Sequence, residues 1–402
     1  MTQATEESSA VLITTSTLPV REGDGVPRFV LDLAIAMAEH FDVTVLAPHN
    51  AGAQRTERLG NVSVQRFRYI WPPQLQRLTE GGVVAVNLRS WWSWFLVPGL
   101  ITIGTIATIR AVRRSQCLAI NAHWLVPMGL CATIASWVTR VPLVLHVHAG
   151  DVYLLRRVPF GHLVARFVVK RAAVVFADGS HVRDTLDSLL GRPSNATLRP
   201  MGVWVDRFRR EPGLSRRNRH AIVFVGRLVE KKGVAHLLDA MAELTEDIPD
   251  ITLEIIGTGL LENRLRSRAR DLGLQDVVAF LGPLSHSEVV EHLHRASVAC
   301  VPSIIDSRGE TEGMPTVVIE AMASGLRVVG SNVDGIPDLL KNRINGWLAA
   351  PADSKELAEA LRAALSEPSD VISQRAIADS AQHDWSKVAD EYAAAVRSAG
   401  NG

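Results

Sequence analysis

Residues 310–325, ETEGMPTVVIEAMASG, hold two carboxylates, Glu312 and Glu320, with seven residues between them. Pro315 stands where a helix would begin and Gly325 where it would end. Proline suits a first helical turn because its missing N–H would go unbonded there, and glycine suits the left-handed residue that closes a helix. Glu312 is thus expected in the loop ahead of the helix. Glu320 is expected inside it, roughly 7 Å along the axis at about 1.5 Å per residue. Between them the free N–H groups of the first turn, backed by the positive end of the helix dipole, make an anion site. Backbone around Met314, Pro315, Thr316 and Val317 would cradle a distal phosphate, with Glu320 accepting from a ribose diol through its two oxygens. Glu312 would accept from sugar hydroxyls. Acceptor, anion cradle, acceptor is the order of groups in a nucleoside diphosphate sugar. A helix-capping Glu312 and a solvated Glu320 are the plain alternative.

Three more loops follow apolar runs. Gly226-Arg227 precedes Lys232-Gly233 by four residues, with Lys231 as a second candidate ammonium. Arg227 and Lys232 would clamp a diphosphate and neutralise the charge that builds on a departing nucleotide. Two solvated loop cations are the alternative. Gly257-Thr258-Gly259 is either a tight turn or a place where backbone approaches the nucleotide closely. Phe280-Leu281-Gly282-Pro283 is the third. An Asp-x-Asp pair suited to a metal does not follow a strand here, so no metal or other cofactor is expected.

The elements that would position these loops are legible as short apolar strands. Strands are expected at 10–17, 41–48, 117–124, 142–150, 173–180 and 197–203, with a helix at about 27–40. After the charged stretch RFRREPGLSRRNRH the pattern restarts with strands at 221–226, 251–259, 277–284, 296–303 and 327–332. Strand–helix alternation implies parallel sheets. The expected fold class is α/β, with two doubly wound Rossmann-like domains facing across a cleft. The expected division is residues 1–206, a linker at 207–220, a nucleotide-side domain at 221–375, and a terminal helical segment at 376–402.

Composition bounds the rest. Net charge is +1, so no nucleic-acid partner is implied. The total hides an asymmetry: residues 1–205 carry 20 Lys/Arg and 13 Asp/Glu, and residues 206–402 carry 23 and 29. Cys117, Cys131 and Cys300 lack metal-type spacing, and a reduced, cytoplasmic setting suits them. The polar, acidic first ten residues do not read as a signal peptide. Residues 91–109 run 19 residues without a charge but contain Pro98, Gly99 and Gly104, and a buried or interfacial helix is expected over a span. No acid occurs between Glu80 and Asp151, whereas Trp91, Trp92, Trp94, Arg110, Arg113, Arg114 and Arg140 fall there. Residues 156–171 add five more cations among apolar residues, as one interfacial helix would. Peripheral docking on the cytoplasmic face of an anionic membrane is the expectation, against helix caps and core tryptophans as the plain reading.

The 310–325 run, with VGRLVEKKG at 225–233, resembles the donor-binding signature of retaining family 4 glycosyltransferases of the GT-B fold. The resemblance spans most of the chain and is strongest over 221–346. It implies sugar transfer from a UDP- or GDP-sugar to a hydroxyl acceptor, here lipid-linked or part of a cell-envelope glycan. Retention would come from front-face attack, with the leaving phosphate helping to deprotonate the acceptor. The G-R-x(4)-K-G frame selects Lys232 over Lys231. His148, in His148-Ala149-Gly150-Asp151, would line the sugar end of the cleft, and Leu281 would lie in the segment that meets the base. Gly23-Asp24-Gly25 resembles the Gly-Gly acceptor loop, with Asp24 replacing one glycine. Gly202-Val203-Trp204 and Asp334-Gly335 also depart from the family's G-V-D and Gly-Gly. The terminal helix is expected to cross back to the first domain. Rival readings are a nucleotide-sugar epimerase, a phosphorylase or a non-catalytic membrane scaffold. A Rossmann dehydrogenase is disfavoured because no G-x-G-x-x-G follows the first strand.

Overall fold

The computed structural model describes residues 9–21, 26–82, 84–88, 91–211 and 217–400. It divides the chain into two compact units, one of Met1–Pro200 with Trp385–Gly402 and one of Met201–Asp384. In the first unit, strands β1 (Ala10–Thr14), β2 (Asp42–Pro48), β3 (Thr56–Leu59), β4 (Val62–Phe67), β5 (Ala119–His123), β6 (Leu143–Val147), β7 (Val174–Ala177) and β8 (Thr197–Leu198) form one sheet. Its order is β3-β4-β2-β1-β5-β6-β7-β8. Every pair is parallel except β3 with β4. Helices α1 (Phe29–Met37), α2 (Val84–Asn87), α3 (Val97–Ser115), α4 (Leu130–Thr139), α5 (Ala149–Arg157), α6 (Gly161–Arg171) and α7 (Ser180–Leu190) make the connections. β5 and β6 are buried along their whole length, which is why they read as unbroken apolar runs.

The second unit begins with α8 (Val205–Phe208) and a six-stranded, all-parallel sheet. Its strands are β9 (Ala221–Val225), β10 (Thr252–Ile256), β11 (Val278–Gly282), β12 (Val298–Val301), β13 (Arg327–Ser331) and β14 (Trp347–Ala349). The order β11-β10-β9-β12-β13-β14 reverses direction between β9 and β12. Ligands in such sheets bind outside the carboxyl ends of the strands at that reversal. Helices α9 (Val234–Asp247), α10 (Glu262–Asp271), α11 (His286–Arg295), α12 (Thr316–Ala323), α13 (Ile336–Leu339), α14 (Ser354–Ser366) and α15 (Val371–Ser380) complete the unit.

The boundary falls at 200/201 rather than 206, and the described residues of 207–220 are tied into the second unit, where their charge suggested a linker. Phe208 is fully buried in the second unit's core. Arg217 donates to the carbonyls of Leu293 (3.0 Å), Ala296 (2.8 Å) and Ser324 (2.6 Å). These lie at the ends of α11 and α12, where unbonded carbonyls gather negative charge. Burial draws the Arg217 guanidinium down to about 10. Arg217→Ala is therefore expected to destabilise the second unit by about 2–3 kcal/mol, since bonds to a charged donor are lost and carbonyls are left dry. Urea unfolding followed by hydrogen exchange on α11 and α12 checks this. An unchanged midpoint would make the three bonds incidental.

The last helix, α16 (Trp385–Gly400), belongs to the first unit. Trp385, Val388, Ala389, Tyr392, Ala393 and Val396 are its buried stripe, at the spacing of one helical face. It packs on α1, β5 and β6. Arg199 with Glu391 (3.1 Å) and His40 with Asp390 (3.2 Å) flank the stripe. The segment that joins the first unit thus starts at 385, not 376; α15 packs on α12 in the second.

The apolar stretch from Trp92 to Ser115 is long and apolar enough to cross a membrane by length and composition alone, with a third of its most apolar 18-residue part buried. Its Pro98, Gly99 and Gly104 do not interrupt it. Pro98 sits in the first turn of α3, where no N–H is needed. A Cβ on Gly104 would lie 3.0 Å from Cys131 Sγ and 3.2 Å from the Phe67 ring, so glycine lets α3 approach α4 and the sheet. Residues 156–171, expected as one helix, form two. The break lies at Val158–Phe160, and Gly161 packs against the Leu155 carbonyl.

Candidate active site

The second unit brings together most of what its loops were expected to supply. The 226–233 loop leaves β9, and its Gly226 N–H donates to the Ile256 carbonyl (2.9 Å). Leu228 N–H donates to Thr258 (2.8 Å). Gly257 has φ +130°, and a Cβ there would sit 2.0 Å from the Gly226 carbonyl oxygen. The Gly257-Thr258-Gly259 turn is therefore interlocked with the 226–228 loop. Gly233, at φ +66°, lies equally close to the Pro302 carbonyl beyond β12, and Ile304 N–H donates to Lys231 (2.9 Å). Two loops on either side of the β9/β12 reversal are thereby fixed to each other.

That fixing aims Lys231 and Lys232 at Glu312. Lys232 Nζ lies 2.9 Å from Glu312 Oε2, and Lys231 Nζ lies 3.3 Å from Oε1. Lys231 also donates to the Thr311 carbonyl (3.0 Å). The Glu312 side chain is 13% exposed. Burial alone would raise its pKa, but the Lys232 and Lys231 ammoniums outweigh burial and hold it at about 2. Both lysines therefore meet Glu312, not Lys232 alone, and Lys232 is the nearer. Two ammoniums on one carboxylate leave a net positive charge four residues ahead of α12. Arg227 is exposed, and no acidic partner for it occurs among the described residues.

Helix α12 starts one residue later than the spacing suggested. Pro315 is its N-cap and Thr316 its first residue, and no side chain caps it. Gly325, at φ +71°, follows its end. Glu320 is half-buried on this helix, and burial raises its pKa against the opposing Thr316 hydroxyl and Lys232. A carboxylate offers two acceptor oxygens, which suits the two hydroxyls of a vicinal diol. Met314 is half-buried, and Gly335 approaches the Gly313 carbonyl and Met314 so closely that a Cβ would clash. Pro315 and Val317 are buried. Leu281, the last residue but one of β11, is half-buried against the core, and the Gly282 carbonyl beside it accepts from Gly257 N–H (2.8 Å).

The first unit's strand ends carry a polar chain that the sequence reading did not assemble. His148 caps α5, buried, with Nδ1 2.8 Å from Asp178 Oδ2 and Nε2 3.2 Å from His123 Nδ1. Asp178 Oδ1 lies 2.8 Å from His146 Nε2, and His146 Nδ1 meets the Tyr392 hydroxyl of α16. His123, His146 and His148 stack, with centroids 4.6–5.5 Å apart. Burial would raise Asp178, but His148 and His146 hold it well below the usual carboxylate range. An ionised Asp178 only accepts, so both histidines donate to it. Burial lowers His146 to about 4 and also holds His123 well below its ordinary value. His146 is then neutral, and its bare Nδ1 accepts from the Tyr392 hydroxyl. His146, His148 and Asp178 have a metal-binding donor set within 4.8 Å, but the ring nitrogens that face Asp178 carry the protons of the 2.8 Å hydrogen bonds. Both ring nitrogens of His148 are thus engaged inside this unit, a constraint that the resemblance did not carry.

Asp151 lies in the first turn of α5 and accepts from Leu125 N–H. Burial pushes it up to about 7. Its Oδ1 and Trp124 Nε1 are buried without hydrogen-bond partners among the described residues. Both residues line a cavity of about 10 Å³ beyond the carboxyl ends of β1, β5 and β6. Gly23, Asp24 and Gly25 lie outside the described residues.

Two family descriptions match the chain in succession. "Glycosyl transferase 4-like domain" matches residues 24–202, and "Glycosyl transferases group 1" matches 206–384. The chain belongs to the GT4-type glycosyltransferases of the GT-B fold. It is 37% identical over 140 residues to the amylovoran biosynthesis glycosyltransferase AmsK of Erwinia amylovora, covering 35% of this chain and 34% of that one. It is 37% identical over 205 residues to the phosphatidyl-myo-inositol mannosyltransferase of Mycobacterium leprae, covering 49% and 52%. The chain thus spans about a third to a half of the length of these curated relatives. The crystal structure of Anabaena HepE in complex with UDP superposes with a TM-score of 0.72 at 19% identity, covering 97% of this chain and 100% of that one.

Proposed function

We propose that this protein transfers a sugar from a nucleoside diphosphate sugar to a hydroxyl of a lipid-linked or cell-envelope glycan acceptor, with retention at the anomeric carbon. The observation that carries the reading is the Lys231–Glu312–Lys232 cluster ahead of the uncapped N-terminus of α12, with Glu320 inside the helix. The bond from the anomeric carbon to the diphosphate oxygen breaks, and a bond from that carbon to the acceptor oxygen forms on the same face. The acceptor proton leaves with the diphosphate. Lys232, Arg227 and the first-turn N–H groups take up the charge that grows on the leaving group, the task a divalent metal performs elsewhere. Glu312 accepts from the sugar hydroxyls, and Glu320 from the ribose. A relative named for amylovoran biosynthesis and one named a phosphatidyl-myo-inositol mannosyltransferase support the acceptor class, and a fold neighbour with UDP bound supports the donor class.

The same reading places the enzyme at the cytoplasmic face of a membrane. α3, α4 and α6 pack side by side in the first unit. Trp137, Phe160, Leu163 and Phe167 are exposed on or beside α4 and α6. Arg140, Arg156, Arg157 and Lys170 are exposed among them. Tryptophan with cations around an apolar face suits a headgroup layer.

A panel of uridine, guanosine and adenosine diphosphates is expected to raise the melting temperature selectively, because only the folded chain binds. With the donor so identified, NMR of the first-formed product is expected to show the donor's anomeric configuration, in the presence of a chelator as in its absence. An inverted product would overturn the retaining reading. A flat panel would overturn the donor site.

A further inference from the structure

Along α3 the first unit leaves a groove of about 600 Å³ between that helix and strands β3 and β4. Five arginines line it: Arg55, Arg66 and Arg68 from the strand side, Arg110 and Arg114 from the helix. No acid lines it. Arg66 is committed to structure, being buried, paired with Glu57 and donating to the carbonyls of Pro19 (2.8 Å) and Gln54 (3.4 Å). The other four are exposed, and among the described residues none has an acidic partner. Four uncompensated guanidiniums in one concavity repel one another, and an anion with several oxygens relieves that repulsion through forked hydrogen bonds.

The groove is not uniformly polar. Ile103 and Ile106 line it and are 38% and 39% exposed. With Arg110, Arg113 and Arg114 they fall on one stripe of α3, apolar toward the helix start and cationic toward its end. Ile103 and Arg114 are about 16 Å apart along the axis at about 1.5 Å per residue. The cations sit at the negative end of the helix dipole, so their charge costs least there. A free inorganic anion would use the arginines and leave the isoleucines wet. An amphiphile with a phosphate head and an apolar tail uses both.

We infer that this groove binds the phosphate or diphosphate headgroup of an anionic membrane lipid, with the lipid's first methylenes over Ile103 and Ile106. The inference rests on the membrane reading above and adds to it a discrete recognition site. A diffuse basic face would treat its cations as interchangeable. A groove singles out Arg68, Arg110 and Arg114.

The test is sedimentation with phosphatidylcholine vesicles, with and without phosphatidylglycerol. It compares the wild type, the triple variant Arg68→Gln/Arg110→Gln/Arg114→Gln, and a triple variant of equal charge, Arg140→Gln/Arg156→Gln/Lys170→Gln. Circular dichroism melts establish that all three are folded. Each cation near an anionic surface contributes about fivefold in affinity, so loss of the groove cations is expected to weaken binding to the phosphatidylglycerol vesicles on the order of 100-fold. The equal-charge variant is expected to lose clearly less. Equal loss in both variants, or none in the groove variant, overturns the groove while leaving membrane binding in place. Wild-type protein that ignores both vesicles overturns the groove and the membrane reading together. Inorganic pyrophosphate that displaces the protein from vesicles at equal phosphate concentration assigns the groove to a soluble anion and overturns the lipid.

Discussion

Lys232→Ala is expected to lower turnover with the cognate nucleoside diphosphate sugar by about 10²–10³-fold, the usual cost of deleting one fixed donor from a site of developing negative charge. Lys232 lies closer to Glu312 than Lys231 does, 2.9 Å against 3.3 Å, and Lys231 divides its donors between Glu312 and the Thr311 carbonyl. Lys231→Ala should therefore cost several-fold less. The two lysines also sustain the ionised Glu312, so each variant destabilises the loop as well. A kcat-against-KM split separates the effects. Charge neutralisation that matters only as the leaving group departs lowers kcat and kcat/KM together. Glu320→Ala, which removes a ground-state contact to ribose, should instead raise KM. Wild-type kcat in a folded Lys232→Ala enzyme would remove Lys232 from the chemistry.

The local geometry of the second unit's candidate site was legible because its parts lie close together in sequence. Pro315, Gly325 and the spacing of Glu312 from Glu320 are consequences of one short helix, and one helix is what a 16-residue window can show. Lys232 was legible for the same reason, since a strand, a tight turn and a cation lie within a dozen residues. The first unit's polar chain depends instead on contacts far apart in sequence. His146 and Tyr392 are separated by 246 residues, and nothing near either one announces the other. The sequence did place His146 and His148 on one face of a strand, and they do stack. It could not add Asp178, which follows the next strand, or show that both His148 nitrogens are engaged.

The hairpin of β3 and β4 passed unseen because Thr56–Leu59 alternates half-buried and exposed positions at a sheet edge, without an apolar run to mark it. The described ends of the stretch 207–220 were misread for a related reason. Charge in a sequence implies solvent, yet Arg217 spends its charge on buried helix carbonyls. Pro98 and Gly104 show the converse. Residues that look like helix breakers turned out to be a first-turn proline and a point of close helix approach, and only packing reveals which.

Asp178→Ala is expected to destabilise the first unit by about 3–5 kcal/mol at neutral pH, because removing one member of a buried charged network leaves its partners dry. His146 and His148 would each lose an acceptor at 2.8 Å. At about 2–4 °C per kcal/mol for a unit of this size, its melting temperature should fall by roughly 10 °C. Tyr392→Phe deletes a single hydroxyl donor and should cost about 1–2 kcal/mol. The wild type should also lose stability on acidification. His146 titrates near 4 when folded and near its ordinary 6.5 when unfolded, so between those values the unfolded chain binds a proton that the folded chain refuses. His123 acts in the same direction. Asp151 opposes them, because its folded pKa of about 7 exceeds the unfolded 3.8 and its cost disappears as pH falls through that window. Two histidines against one carboxylate leave a net loss of stability from about pH 6.5 toward 4. Below that, Asp178 adds to the loss, since its carboxylate is held below the usual range when folded. Hydrogen exchange across β6 and α16, followed from pH 8 to 4.5, isolates this network from the rest of the chain. Protection there that stays level over that range, together with an Asp178→Ala melt within about 2 °C of wild type, would mean that the five side chains lie together without holding the unit together.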